Sequence, residues 1–471
     1  MKISGILKYT AIAVSAAILF IACEEDDFID DDSAIVSLSA DGSIDAATTK
    51  LIFTVKDNNF VLTADDIKIN AKNFSVIKGI LTKKGTIYEL LITSGSTDKI
   101  RVGLDPYRGF TGWVAKAVNV YADWYFSGTE NLTITGYNQS IIDPSETQIP
   151  AEIAEKPVTA IGYRAFYYKE LTNVSFSADI KLKDIGNSAF AYNQLSKITI
   201  PDGVVSIGRT SFAYNQLSEV IIPDSVTAVG YGAFAYNQLN SVNIINTVPG
   251  KITSIEGSAF RYNRITAVTI PASVKNIEDY AFDYNKLENI IIPSGVRSIG
   301  DGAFGNNQLK EINIPNSVVS LSGFNDNKLE KKITIPNSVG SIGNNAFANN
   351  KLKEVDIPDN VKTIGSYAFA HNEITSVTIS NKITTIEPRT FAYNKLAEIV
   401  IPDNVRNIGI YAFMENPLTS ITIGKNVTLG SSAFGNGFES FYYNNSRKEG
   451  TYTLSDDGWE YAAPAPPPPA P

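Results

Sequence analysis

Thirteen phenylalanines recur at a nearly constant interval along the second two-thirds of this 471-residue chain. Seven of the twelve intervals are 22 residues, and the others range from 20 to 26. The residues are Phe166, Phe190, Phe212, Phe234, Phe260, Phe282, Phe304, Phe324, Phe347, Phe369, Phe391, Phe413 and Phe434. A period of this size predicts a solenoid, because one coil is too small to bury its own apolar face and must stack on its neighbours.

Each repeat reads as one coil of such a solenoid. In the segment 195–201, Leu-Ser-Lys-Ile-Thr-Ile-Pro, residues Ile198 and Ile200 alternate as inward positions of a strand. The proline ends the strand because it has no N–H for the ladder. An Ile-Gly pair then supplies a second inward stretch, and we expect the glycine to allow a turn. The phenylalanines should therefore stack inside the coils as an aromatic spine.

An asparagine follows most of these phenylalanines by three residues. The residues are Asn193, Asn215, Asn237, Asn263, Asn285, Asn307, Asn327, Asn350, Asn372, Asn394 and Asn416. A buried amide needs hydrogen-bond partners. We therefore expect a structural ladder in which each asparagine binds turn backbone groups of its own coil and of the adjacent coil.

The repeat resembles the BspA-like, Treponema-type leucine-rich repeats over about residues 155 to 437. The family repeat often has cysteine where this chain has asparagine. The resemblance implies a leucine-rich-repeat solenoid of about 13 coils in a bacterial surface or secreted protein. Several family members bind host matrix or plasma proteins or other bacteria, which implies a class of activity and identifies no ligand.

The N-terminus is typical of an exported protein. Lys2 and Lys8 precede an apolar run over residues 10–22, which is too short to span a bilayer. The segment 19–23, Leu-Phe-Ile-Ala-Cys, resembles a bacterial lipoprotein cleavage box and implies that Cys23 carries the lipid. An ordinary secreted protein with an incidental cysteine is the alternative.

Composition changes divide the rest of the chain. Residues 1–22 are predicted as the lipoprotein signal peptide, 23–33 as an acidic tether, and 34–122 as an immunoglobulin-like β-sandwich of six or seven short strands. The sequence there resembles small Ig-like modules of bacterial surface proteins. Residues 123–160 are predicted as a linker and N-terminal cap, 161–437 as the solenoid, 438–462 as the C-terminal cap and 463–471 as a Pro-rich tail. The predicted fold class is mainly β.

Composition also limits the chemistry. The net charge of −9 and the lack of a basic stripe argue against nucleic-acid binding. The chain has one Cys and one His, so a zinc site or a catalytic triad has too few candidate residues. We predict no cofactor, no metal and no enzymatic activity, and we interpret His371 as a surface substitution.

Comparison of the repeats points to one candidate binding position, two residues after the spine phenylalanine. It is tyrosine in the first six repeats, namely Tyr168, Tyr192, Tyr214, Tyr236, Tyr262 and Tyr284, and it then varies. Because later repeats carry Asp or Glu there, we expect these tyrosines to be exposed in a row of ~24 Å. Tyrosine is enriched in recognition surfaces. The row is predicted as a binding ridge; the alternative is tyrosines that stack only to cover the coil edge.

These features predict a lipid-anchored protein of the outer membrane that presents its solenoid on the cell surface for protein binding and adhesion. The predicted partner is a host matrix or plasma protein or a bacterial surface protein, with membrane contact through the lipid alone. A scaffold protein facing the periplasm is one alternative. A hydrolase with catalytic residues in the caps is a remote alternative.

Overall fold

The computed structural model describes residues 35–40, 50–55, 67–70, 76–84, 87–94, 98–104, 116–120, 124–137, 142–153, 155–245 and 251–464. The chain falls into two compact units, Met1–Asp184 and Ile185–Pro471. The predicted signal peptide, Cys23, the acidic tether and residues 465–471 of the tail lie outside the described residues.

The first unit begins with seven strands in the region predicted to be Ig-like. They are β1 (Ile35–Ala40), β2 (Lys50–Val55), β3 (Ile67–Asn70), β4 (Val76–Lys84), β5 (Ile87–Ser94), β6 (Asp98–Leu104) and β7 (Lys116–Val120). Antiparallel pairing gives a four-stranded sheet in the order β1-β2-β5-β4 and a three-stranded sheet in the order β3-β6-β7. Two antiparallel sheets are the components of a sandwich, and the sandwich itself remains a prediction.

The rest of the first unit contains parallel strand pairs like those of the repeats. Its strands are β8 (Trp124–Ser127), β9 (Leu132–Tyr137), β10 (Thr147–Ile149), β11 (Glu152–Ile153), β12 (Lys156–Ile161) and β13 (Val174–Phe176). Parallel pairs β9–β12 and β10–β13 already have the arrangement of stacked coils. The ring of Tyr137 stacks on Phe166 at 5.4 Å and Trp124 meets Phe166 edge-on at 6.2 Å, so aromatic side chains cover this spine ring.

The solenoid strands are short, with two to four residues each. They are β14 (Asp184–Ile185), β15 (Ser206–Ile207), β16 (Glu219–Ile222), β17 (Ala228–Val229), β18 (Ser241–Ile244), β19 (Ser254–Ile255), β20 (Ala267–Val268), β21 (Asn276–Ile277), β22 (Ser298–Ile299), β23 (Ser320–Leu321), β24 (Ile333–Thr334), β25 (Ser341–Ile342), β26 (Glu354–Asp356), β27 (Thr363–Ile364), β28 (Ser376–Thr378), β29 (Thr385–Ile386), β30 (Glu398–Val400), β31 (Asn407–Ile408), β32 (Ser420–Ile423) and β33 (Thr428–Leu429).

These strands pair in parallel with the same position of the neighbouring repeat. Val220 lies opposite Val242, for example, and Ile277 lies opposite Ile299. The sheets run β16-β18-β20, β24-β26-β28, β19-β21-β22-β23-β25-β27 and β29-β31-β33. Inward and outward residues alternate along the longer strands, as in β16, because successive side chains of a strand point to opposite faces. The prediction of a mainly β protein with a leucine-rich-repeat solenoid is confirmed.

The spine phenylalanines form the core of the coils. From Phe190 to Phe434 their rings stack coil on coil with centroids 5.1–5.8 Å apart, and each side chain is at most 2% exposed. The chain turns tightly around each ring. The backbone N–H groups of Ser188, Phe190 and Tyr192 donate to carbonyls of the next coil at 2.8, 2.7 and 3.0 Å.

The glycine of the Ile-Gly pair is required for a reason other than the predicted turn. A Cβ on Gly208 would lie 2.6 Å from the backbone nitrogen of Asn187 in the preceding coil. The same contact recurs at Gly300, where the Cβ would lie 2.6 Å from the nitrogen of Asp279. The glycine therefore permits the close approach of adjacent coils.

The C-terminal end of the solenoid is covered by helix α1 (Phe438–Asn444) and the hairpin of β34 (Gly450–Ser455) and β35 (Gly458–Ala462). Strand β34 pairs antiparallel with β32. Phe438 meets the last spine ring, Phe434, edge-on at 5.0 Å, and Trp459 packs on Phe438 at 5.0 Å. Among the described residues, none lies in a helix long and apolar enough to cross a membrane.

Candidate functional site: the tyrosine ladder

Five of the six predicted ridge tyrosines form a continuous stack in the second unit. We call Tyr192, Tyr214, Tyr236, Tyr262 and Tyr284 the tyrosine ladder. Successive ring centroids lie 4.3, 4.3, 4.5 and 4.4 Å apart, with interplanar angles of 8–18°. The sixth, Tyr168, belongs to the first unit, where it is 70% exposed and lies 6.5 Å from Tyr167.

The ladder stacks and remains exposed at the same time. Tyr192, Tyr214, Tyr236 and Tyr284 keep 38–43% of their surface exposed, and Tyr262 is half-buried. Because neighbouring rings cover each other's faces, solvent meets the ring edges and the hydroxyl groups. The surface is therefore a narrow row of edges and hydroxyls with the spacing of the coils.

The backbone of this position disfavours tyrosine. The φ angles of the ladder residues are +53 to +58°, in the left-handed region. Asn and Asp adopt this conformation at a lower cost than a bulky residue. The later repeats indeed carry Asn306, Asp326 and Asn349 there, with the same backbone. The change from Tyr to Asn and Asp along the repeats was a sequence signal for this conformation that the sequence analysis did not use.

Two ladder hydroxyls, those of Tyr214 and Tyr284, have a pKa above the usual range of a phenol. Burial, with hydrogen bonds to Tyr192 and Tyr236, raises the pKa of Tyr214 to about 12. The electrostatic interaction with the neighbouring Tyr262, with smaller contributions from burial and from Asp283, raises the pKa of Tyr284. The row therefore presents phenol groups that can both donate and accept hydrogen bonds.

An ion pair that the sequence analysis missed lies at the end of the ladder. One residue after the spine phenylalanine, alanine gives way to Arg261 and Asp283, and the Arg261 Nε lies 2.9 Å from the Asp283 Oδ2. The guanidinium carbon of Arg261 lies 4.9 and 4.8 Å from the ring centroids of Tyr262 and Tyr280, and Asn306 Nδ2 donates to Asp283 Oδ1 at 2.9 Å. Charges of opposite sign at one position of successive repeats were the sequence signal for this pair.

Burial and the mutual attraction of the two charges act in opposite directions on each member of this pair. Asp283 is 2% exposed, and its burial raises the pKa of the carboxyl although Asn306 and Arg261 act in the opposite direction. Burial also opposes the charge on Arg261, but Asp283 outweighs it and raises the pKa of Arg261. The pair thus fixes Arg261 between aromatic rings and holds the last rungs of the ladder in place.

The surface beside the ladder changes character along the solenoid. Gln194 and Gln216 are exposed two residues after their ladder tyrosines. From Glu288 onwards, ion pairs join exposed side chains of successive coils, such as Glu288–Lys310 at 3.3 Å and Glu373–Lys395 at 3.0 Å. The first rungs of the ladder therefore lie beside uncharged amides, the exposed Arg264 and Lys286 lie beside its last two rungs, and ion pairs follow it.

The asparagines that follow the spine lie inside the coils and bind backbone groups. Asn285 Nδ2 contacts the carbonyl oxygens of Phe260, Phe282 and Asp283 at 2.9, 3.1 and 3.3 Å, and its Oδ1 accepts from the Ile265 N–H at 3.0 Å. The same contacts recur through the repeats, including Asn215, Asn237, Asn263 and Asn307. Asn193 donates to the Phe190 carbonyl at 2.9 Å. Each amide from Asn215 onwards therefore links its own coil to the one before it.

A comparison with protein families identifies the repeat. A family model described as "BspA type Leucine rich repeat region" matches six copies over residues 146–250, 245–330 and 319–439, which together make up more than half of the chain. The chain belongs to the BspA-type leucine-rich-repeat family. Repeat scaffolds of this kind present extended surfaces for protein binding.

Solved structures of bacterial repeat proteins are similar to this BspA-type chain. A leucine-rich cell surface protein from Faecalibacterium prausnitzii has 24% identity and a TM-score of 0.44, over 66% of this chain and 93% of its own. A leucine-rich repeat protein from Bacteroides ovatus has 23% identity and a TM-score of 0.44, over 66% and 90%. The pneumococcal vaccine antigen PcpA has 18% identity and a TM-score of 0.42, over 66% and 84%. A search of curated proteins gives no match.

The single histidine of this BspA-type chain occupies the ladder position of a later coil. His371 stacks on Tyr393 at 4.3 Å with an interplanar angle of 8°, so it packs as a ladder residue does. In the described part of the chain, no group of three or more His, Cys, Asp or Glu side chains is placed to hold a metal ion. The tyrosine ladder is therefore the candidate site that the geometry favours.

The left-handed backbone of the ladder makes Tyr236→Asn a substitution that tests function without unfolding the protein. The variant loses two ring contacts of ~0.5–1.5 kcal/mol each but relieves backbone strain of ~1 kcal/mol. We expect the free energy of unfolding to fall by no more than about 2 kcal/mol, measured by urea denaturation followed by circular dichroism. A loss above about 3 kcal/mol would show that the ladder is required for stability. Tyr393→Asn in a later coil is the matched control.

Proposed function

We propose that this protein is a lipid-anchored cell-surface protein that binds other proteins through the tyrosine ladder, and that this binding supports adhesion to host or neighbouring-cell proteins. Binding requires no chemistry at the site. The solenoid supplies a rigid frame, and the ladder supplies contact area and hydrogen-bonding hydroxyls.

The observation that carries this proposal is tyrosine at five successive positions whose backbone favours asparagine. All five have φ between +53 and +58°, and most of them are about 40% exposed. Asparagine is sufficient to form the turn, as Asn306, Asn349 and Asn436 of the later coils show. The tyrosines therefore carry a cost that the fold does not require, and strain of this kind is concentrated at functional sites.

The N-terminal part of the proposal rests on sequence. Cys23 is the single cysteine of the chain and follows a segment that resembles a lipoprotein cleavage box. Seven acids in residues 24–32 repel one another and suit an extended tether. The strands of residues 35–120 would then form the stalk that carries the solenoid away from the membrane.

Cell adhesion tests the proposal. Cells that display the wild-type chain, or the chain with Tyr214→Asn, Tyr236→Asn and Tyr262→Asn, are applied to surfaces coated with matrix and plasma proteins. We expect the triple variant to lose most of the adhesion, because three adjacent ring edges are removed. Equal adhesion of the two strains would contradict the role of the ladder.

Protease treatment of intact cells is the control for location. We expect external protease to cut the solenoid of both variants to the same extent if it faces outward. A protected solenoid on intact cells would contradict the surface location and favour a scaffold facing the periplasm.

A further inference from the structure

We propose that the tyrosine ladder binds the tyrosine ladder of a second copy of this chain, with the two ladders side by side in opposite directions. The inference rests on the proposed function of the ladder as a binding surface and names its partner. Contact between copies on neighbouring cells would give homotypic adhesion.

The stacking of the rings limits what the ladder can bind. Ring centroids 4.3–4.5 Å apart leave no space between faces. Ligands that stack on an open aromatic face, such as sugar or proline rings, find none along the row. Ring edges and hydroxyls remain, and these make edge-to-face contacts with other aromatic rings and hydrogen bonds with polar groups.

The spacing of the ladder selects a partner with the same period. An extended peptide advances ~3.3 Å per residue and soon loses register with rungs that repeat every 4.3–4.5 Å. A second stack of β-coils repeats at the same interval, so all five rungs can make contact at once. Another copy of this chain has the same ladder and therefore the same period.

The chemistry of the ladder is complementary to itself. A tyrosine hydroxyl both donates and accepts a hydrogen bond, and so does the amide of the exposed Gln194 and Gln216 beside it. The rungs carry no charge, although the chain as a whole has a net charge of −9. Two copies can therefore approach through this part of the surface with less repulsion than elsewhere.

The charges beside the ladder favour opposite directions. The exposed cations Arg264 and Lys286 lie beside the last two rungs, and Gln216 and Gln194 lie beside the rungs at the other end. Opposite directions bring the coil of Arg264 level with the coil of Gln216. Parallel directions would bring the two Arg264 coils to one level and place like charges near each other. The two-fold axis would then pass near Tyr236, the central rung.

The size of the ladder predicts a weak contact. Side chains that are 38–43% exposed cannot bury the ~800 Å² per partner that a stable complex requires. A weak contact suits molecules held on a surface, where anchoring raises the effective concentration and many contacts act together.

Sedimentation equilibrium of the full chain tests this inference. We expect reversible dimerisation that is nearly unchanged between low and high salt, because the rungs are uncharged. Substitution of Tyr214, Tyr236 and Tyr262 by asparagine should weaken dimerisation more than about tenfold, since edge contacts of ~0.5–1.5 kcal/mol are lost from both copies.

Exposed aliphatic residues on the strand face provide the control. Ile221, Ile291 and Val400 are 52%, 84% and 65% exposed, and other coils carry threonine at the same position. Replacement of all three by threonine should leave dimerisation unchanged. Loss of dimerisation in this control but not in the ladder variant, or a wild-type chain that remains monomeric, would overturn the inference.

Cysteine cross-linking tests the direction in a Cys23→Ser background, which has no other cysteine. We expect two copies of the Tyr236→Cys variant to form a disulfide between their introduced cysteines. Tyr192→Cys and Tyr284→Cys should each fail alone and cross-link when mixed. Self-cross-linking of Tyr192→Cys alone would overturn the opposite direction. If copies do not associate but the triple asparagine variant still loses adhesion to matrix or plasma proteins, this inference fails and the proposed function stands.

Discussion

Phe304→Ala is expected to lower the free energy of unfolding by about 3–5 kcal/mol. The ring is fully buried and stacks on Phe282 and Phe324 at 5.5 Å on each side. Alanine removes both stacking contacts and leaves a cavity in the middle of the spine. The neighbouring coils cannot close this cavity, because their backbone hydrogen bonds fix the distance between them.

Urea denaturation followed by circular dichroism measures this loss, with hydrogen exchange to locate it. In a solenoid each coil contacts only its neighbours, so protection should fall most in the coils around Phe304. Phe304→Leu, which keeps most of the volume, is expected to cost clearly less than alanine. A cost below about 1 kcal/mol for Phe304→Ala would show that the spine does not hold the coils together.

Asn285→Ala is expected to lower the free energy of unfolding by about 2–3 kcal/mol, since it leaves the buried Ile265 N–H without its acceptor. It also removes one of the two amide donors from each of the Phe260 and Phe282 carbonyls. The exposed Asn289, in the same coil, is the matched control, and its replacement by alanine should change stability by less than about 0.5 kcal/mol. Equal effects of the two substitutions in urea denaturation would contradict the structural role of the asparagine ladder.

Asn285→Asp tests the accepting role of this side chain separately from its donating role. Ionised aspartate can accept from the Ile265 N–H but cannot donate to the carbonyls of Phe260 and Phe282. Burial among carbonyl oxygens raises the pKa of such a carboxyl, so the folded state binds a proton that the unfolded state releases. The stability of the Asn285→Asp variant, relative to the wild-type chain, should therefore be highest at acid pH and fall as the pH rises above ~4. A pH-independent difference would contradict this account.

The regular part of the fold could be predicted from the sequence because every coil repeats the same packing problem. The apolar alternation of Ile198 and Ile200, and the period of the phenylalanines, are determined by burial alone. The asparagine position could be placed inside the coil for the same reason, since a repeated polar residue beside the spine needs repeated backbone partners.

Other features of the fold depend on distances between coils or on residues that differ from the repeat, and the repeat period does not specify these. Gly208 is needed because the backbone of the preceding coil approaches it, and this distance follows from the stacked coils. The Arg261–Asp283 pair depends on side chains from neighbouring coils that differ from the repeat. Helix α1 has only seven residues, so the i, i+3, i+4 spacing of Phe438, Phe441 and Tyr442 is too short a pattern to predict a helix, and contacts of Phe438 and Tyr442 with the last coil hold it in place.

The candidate site shows the same division. The row of tyrosines could be found by comparing repeats, because exposure follows from the Asp and Glu that replace them later. The stacking that covers the ring faces could not be predicted, since the ring-centroid distances of 4.3–4.5 Å depend on the rotamers as well as on the coil spacing. Because the ring faces are covered, a partner must contact the ring edges and the hydroxyl groups.

The central claim is that the tyrosine ladder is the binding surface, and a graded binding series tests it most directly. The purified full chain and variants with one, two or three of Tyr214, Tyr236 and Tyr262 changed to asparagine are measured against immobilised matrix and plasma proteins and against the immobilised wild-type chain. Circular dichroism confirms that each variant is folded. The account predicts that binding of the wild-type chain falls stepwise with each tyrosine lost, while Tyr393→Asn binds as the wild type does. Equal binding of the triple variant and the wild type, or no binding of the wild type to any of these surfaces, would contradict it.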